Sequence, residues 1–181
     1  IKVFQASGSG SSITIAEGVE YASNNGATIL NMSFASFGAS FTLKIALENA
    51  YTTALLVAAS GNNDSPIGPC IGCRPYYPAA YTFVIGVEDS VGDYSNYDQD
   101  GPLFSYYEGL LNYELAAPGY GIMSTIPNGG YSTLSGTSMA TPLVAGSCAL
   151  YNQIKNTSNK EILFGDFINS SNDNNFDLLA A

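Results

Sequence analysis

Two kinds of apolar pattern alternate along the first ninety residues. Short, nearly unbroken runs carry apolar side chains at successive positions, as strands buried on both faces do: IKVF (1–4), ATILNMSF (27–34), ALLVAAS (54–60) and TFVIGVED (82–89). Between them lie longer stretches whose apolar residues return at helical spacing. In SSITIAEGVEYASNNG these are Ile13, Ala16, Val19 and Ala22, and Asn25-Gly26 supplies a stop signal. In SFTLKIALENAYTT (40–53) they are Leu43, Ala46, Leu47 and Ala50. Strands alternating with helices predict an α/β fold, a parallel sheet with helices on both faces.

The pattern then changes. GNNDSPIGPCIGCRPYYPAAY is irregular, and residues 90–113 read as polar, Tyr-rich surface loops. ELAAPGYGIMSTIPNGGYSTLSG reads as short strands and turns punctuated by Pro118-Gly119 and Asn128-Gly129. A helix is expected from about Thr137 to Ile154, and the tail NNFDLLAA is weakly specified. No repeat, low-complexity block or linker divides residues 1–181, which are expected to belong to a single domain.

Composition narrows the function classes. Hydrophobic residues make up 46% and charged residues 11%, a globular balance rather than a disordered one. Fifteen acids against five bases give a formal charge of −10, which speaks against a nucleic-acid partner, since phosphate binding needs clustered Lys and Arg. No apolar run approaches the roughly 18 residues of a membrane span. The opening IKVFQASGSG does not read as a signal peptide, so any export signal would lie outside this chain. The acids themselves read as solvated surface groups.

Three cysteines are present, Cys70, Cys73 and Cys148. Cys148, in AGSCAL, reads as a small buried hydrophobe. Cys70 and Cys73 form CIGC in a Gly/Pro-rich loop where flanking prolines oppose the helix that a redox CxxC usually opens. A metal would need two further ligands, and there are 0 histidines to supply them. A local disulfide is the favoured reading, with free thiols the alternative; a disulfide would fit an exported protein.

Two polar positions stand out against this background. Ser138, in GTSMATP (136–142), falls at the start of the last helix, where unpaired N–H groups and the positive dipole end would suit an oxyanion beside a nucleophile. Asn62, in VAASGNN (57–63), falls where a buried strand stops, the end at which parallel α/β sheets gather their sites. Taken singly, each has an ordinary explanation, the serine as a helix cap and the asparagine as a turn residue. A serine hydroxyl also needs a base, most often histidine, and this chain has none.

Taken together with their order, the motifs do more. GTSMATPLVAG, preceded by AAPGYGIMSTIP, by LLVAASGNN and YPAAYTFVIGVED, and by ILNMSF, closely resembles the C-terminal half of subtilisin-like serine peptidases, from IKVFQASGSGSS to about Leu150. The resemblance implies that Ser138 is the acylated nucleophile and that the Asn62 side chain donates to the oxyanion. It implies that Ser33, Phe34 and Ala35 pair with a peptide substrate as an added strand, and that Ala59, Ser60 and Gly61 form the opposite wall of the pocket for the residue before the scissile bond. Phe34, Ala35 and Ala79 would make that pocket apolar, and shallower than where the family has Gly in place of Ala35. The family often has His where this chain has Leu143, but that histidine is not the base.

The family's Asp and His motifs precede everything present here, and neither occurs in these residues. The resemblance therefore implies a partner: an N-terminal part of the same peptidase, on a second chain or a further segment, bringing both residues. In the family sheet the Asp-bearing strand lies between those matching IKVF and ATILNMSF, so this chain is not expected to fold or act alone. No metal or cofactor is expected of it. Calcium is left to the complete protein, with Glu114 near a position that assists a cation in relatives. Secretion or a cell-envelope location is the expectation.

Overall fold

The computed structural model describes residues 1–67, 74–98 and 115–155. Cys70, Cys73, Glu114, most of the Tyr-rich stretch and the tail lie outside the described residues.

Four strands form one parallel sheet: β1 (Ile29–Met32), β3 (Leu55–Ala59), β6 (Ile85–Asp89) and β8 (Leu115–Ala117), in the order β1-β3-β6-β8. Register aligns Met32 with Ala58, Ala59 with Val87 and Asp89 with Ala117. Helices cover both faces. α1 (Ser12–Asn24) and α2 (Phe41–Tyr51) pack together on one, and α3 (Thr137–Lys155) lies across all four strands on the other. The two-residue period of a strand explains how one segment serves both layers. In β3, Leu56 and Ala58 join the core beneath α1 and α2, while Leu55 and Val57 join Ala140, Val144 and Cys148 of α3. All five β3 residues are buried, as an unbroken apolar run requires.

Serines start the two short helices. The Ser11 and Ser40 hydroxyls accept from the amides of Thr14 and Leu43, at 3.1 and 3.3 Å. The buried face of α2 is Leu43, Ala46, Leu47 and Ala50, as its spacing predicts. α1 is rotated from its expected phase: Ile15 is buried with Ala16 and Val19, while Ile13 is 61% exposed. Both isoleucines fit an apolar stripe, and packing against α2 selects the second.

Three further pairs of strands are short. β9 (Ile122–Ile126) and β10 (Gly130–Leu134) form an antiparallel hairpin, β2 (Ser36–Phe37) pairs with β5 (Tyr76–Tyr77), and β4 (Pro66–Ile67) pairs with β7 (Tyr97–Asp98). The expected strand at IKVF is not formed. A strand needs a neighbour for its backbone, and residues 1–4 have none among the described residues. Val3 and Phe4 pack instead on the α1–α2 core, Phe4 edge-on to Phe34 with ring centroids 5.4 Å apart. β1 likewise has no strand on its outer side among the described residues.

Candidate active site

The carboxyl ends of all four parallel strands meet the N-terminus of α3. After β1, the Ser33 carbonyl accepts from the Ser138 hydroxyl at 3.0 Å. After β3, the Gly61 amide donates to Thr137 Oγ1 at 3.1 Å, and Asn62 Oδ1 accepts from the Thr137 amide (2.9 Å) and hydroxyl (3.1 Å). After β8, the Gly119 carbonyl accepts from the Gly136 amide at 2.9 Å. At the end of β6, Asp89 is buried with Oδ1 accepting from the amides of Val91 (3.0 Å) and Gly119 (2.8 Å) and Oδ2 from the Tyr94 hydroxyl (2.8 Å). Asp89 thus holds the turn that holds Gly136.

This clamp fixes the orientation of Asn62. An amide N–H and a hydroxyl already engaged by Gly61 both give their protons to Oδ1, so the oxygen faces Thr137 and Nδ2 faces away. Asn62 is exposed, and its Nδ2 has no acceptor among the described residues. The Ser138 amide lies in the first turn of α3, where no intrahelical acceptor exists, and none of the described backbone bonds engages it. Pro142 cannot give the usual bond back to the Ser138 carbonyl, while the Thr141 hydroxyl donates to the Thr137 carbonyl at 2.7 Å. Gly136, at φ +145°, must be glycine twice over: its backbone disfavours a side chain, and a Cβ there would lie 3.1 Å from Asn62 Nδ2.

The other predicted positions divide. Ser33, Phe34 and Ala35 are half-buried, in a segment outside any strand directly before β2, with the Phe34 amide turned back to the Met32 carbonyl at 2.8 Å. Gly61 is tied into the clamp. Ala59, Ser60 and Ala79 are wholly buried, so their side chains line no open surface; the Ser60 hydroxyl points inward to the Asn96 carbonyl at 3.1 Å. Sequence reasoning missed Thr137, Asp89 and Asn96. The only signal for Thr137 was its place beside Ser138, and nothing in the local pattern marked the other two.

Charge at the site is confined. Tyr94 is held above its ordinary value by burial and then by its bond to the Asp89 carboxylate, so its phenol stays a donor. No group of three or more His, Cys, Asp or Glu side chains converges among the described residues. Asp89, the buried acid, has both carboxylate oxygens engaged by protein donors.

The chain is 41% identical over 162 residues to alkaline elastase YaB of Bacillus sp. (strain YaB), covering 87% of this chain and 38% of that protein. It is 40% identical over 161 residues to subtilisin Savinase of Lederbergia lenta, covering 87% and 54%. The solved structure of sphericase matches with a TM-score of 0.74 at 32% identity, over 91% of this chain and 57% of that one. The chain thus spans about half or less of the length of these relatives. No described helix is long and apolar enough to cross a membrane. Residues 1–176 match the subtilase family, and the chain belongs to that family of serine peptidases.

Proposed function

We propose that the complete protein is a serine endopeptidase in which this chain provides the nucleophile and the oxyanion donors, while a segment outside it provides the histidine and aspartate. What supports the reading most is the clamp around α3, which presents a serine hydroxyl, its own amide and an unengaged carboxamide N–H at one helix N-terminus.

Each step follows from a named group. A peptide lies along residues 33–35 as an added strand, with 59–61 opposite, contributing backbone at Ala59 and Ser60. The Ser138 proton, now given to the Ser33 carbonyl, turns to the histidine as Oγ attacks the scissile carbonyl. Asn62 Nδ2 and the Ser138 amide receive the negative oxygen. The aspartate holds the histidine tautomer, the protonated histidine releases the amine, and water then hydrolyses the acyl-enzyme. No step is routed through a metal, and calcium is left to the complete protein. The reading extends to a secreted or cell-envelope location, which a disulfide between Cys70 and Cys73 would fit.

A fluorophosphonate probe tests it. In the complete protein the probe should label Ser138, and Ser138→Ala should abolish both labelling and peptide hydrolysis. A histidine-containing complete protein that leaves Ser138 unlabelled would mean a retained fold that binds peptides without cutting them.

A further inference from the structure

The loop that presents Asn62 does not hold itself. Residues 60–65 follow β3 with φ of +105° at Gly61 and +47° at Asp64, so no regular ladder can run through them. While the Gly61 amide goes to Thr137 and the Asp64 amide to the Tyr94 carbonyl, much of the loop bonds instead to one fully buried residue, Asn96. Its Nδ2 donates to the Ser60 carbonyl at 2.9 Å. Its Oδ1 accepts from the amides of Asn63 and Ser65 at 3.0 and 3.1 Å. Its own amide donates to the Gly61 carbonyl at 2.9 Å, and its carbonyl accepts from the Ser60 and Ser95 hydroxyls at 3.1 and 2.9 Å.

These bonds bracket Asn62. The side chain bonds residue 60 on one side and residues 63 and 65 on the other, the Asn96 amide bonds Gly61, and Asn62 between them projects with the Gly61 amide towards Thr137. The approach is so close that a Cβ on Gly61 would collide with the Asn96 amide nitrogen. Only a carboxamide meets the demand, because the loop offers one buried acceptor and two donors at once. Aspartate would set a charge against the Ser60 carbonyl, and an apolar side chain would leave three backbone groups unpaired.

We infer that Asn96 is a positioning residue for the oxyanion site: by pinning both flanks of the 60–65 loop it sets where Asn62 Nδ2 points. It touches no substrate and acts only through Asn62. The inference rests on the peptidase reading above, since without an oxyanion there is nothing for Asn62 to meet.

The test is a double-mutant cycle in the complete protein with Asn62→Ala, Asn96→Ala and the pair, scored by kcat and KM on one peptide substrate well below each variant's Tm. Removing a single oxyanion donor is expected to lower kcat about 10²–10³-fold. Asn96→Ala should lower kcat roughly 10–10²-fold with KM little changed, the size of effect that a slight misplacement produces. In the Asn62→Ala background the same change should then cost less than about twofold, because the group it positions is gone. Asn96→Ser, which keeps a shorter donor and acceptor without adding a buried charge, serves for the cycle where Asn96→Ala does not fold. Equal kcat losses in both backgrounds, or an effect confined to KM or Tm, would overturn the inference while leaving the peptidase reading intact. A parent with no Ser138-dependent turnover would overturn both.

Discussion

At the scale of single residues, reactivity here is decided by where a side chain sits as much as by what it is. Ser138 and Cys148 are both nucleophile types on α3, ten residues apart. The serine hydroxyl sits at the helix N-terminus and the thiol lies in the core against the sheet. Burial disfavours the thiolate, and the Cys148 pKa is pushed up from 9.0 to about 12. Two consequences follow. A thiol reagent at pH 8–9 should leave Cys148 unmodified in the native protein and modify it on unfolding. Stability should also depend on alkaline pH. The folded protein retains a proton that the unfolded chain gives up above about pH 9, so this contribution is complete below pH 9 and declines as pH rises towards 12. Thermal unfolding at pH 8 to 11 should therefore show a steeper alkaline loss for the native sequence than for Cys148→Ala. Parallel curves would mean that Cys148 is not the group responsible.

At the scale of elements, the two short helices show what periodicity fixes and what it leaves open. The buried face of α2 was legible because only one set of its apolar positions forms a stripe. In α1 two isoleucines compete, and tertiary packing rather than local pattern places Ile15 inside and Ile13 in water. The difference is measurable. Ile15→Ala in the complete protein should cost about 2–5 kcal/mol, as core truncations do, whereas Ile13→Lys should stay within about 0.5 kcal/mol. Comparable losses at both positions, read by denaturant unfolding, would contradict this phase. The same division runs through the site. Ser138 and Asn62 were visible because motif and element boundary coincide at each. Thr137, Asp89 and Asn96 were not, because their work is long-range: Thr137 bonds residues 75 and 76 positions away, and the Asn96 side chain reaches residues 31 to 36 positions away. IKVF read as a strand on its own composition, but strand formation depends on a neighbour that no local pattern specifies.

At the scale of the whole molecule, that unformed strand and the outer side of β1 belong to one question. Among the described residues β1 is paired with β3 alone, and residues 1–4 rest on helical core rather than on a sheet. An open edge in a parallel sheet is unusual, since such sheets are normally covered, and its free N–H and C=O groups invite another strand. β1 also leads into Ser33, whose carbonyl holds the Ser138 hydroxyl. A strand added beside β1 would therefore lie within one strand spacing, about 4.8 Å, of the segment that contacts the nucleophile. Such a strand, from the part of the protein proposed to carry the histidine and aspartate, would complete the sheet and bring the base near the serine in one event. Hydrogen exchange can separate this from simple proximity. In the complete protein the amides of residues 29–34 should be protected as strongly as those of β3, which is paired on both sides, whereas an uncovered β1 would exchange much faster than β3. Ser138 labelling by a fluorophosphonate should appear together with protection of β1. Labelling without that protection would place the histidine by another route and leave β1 as a true sheet edge.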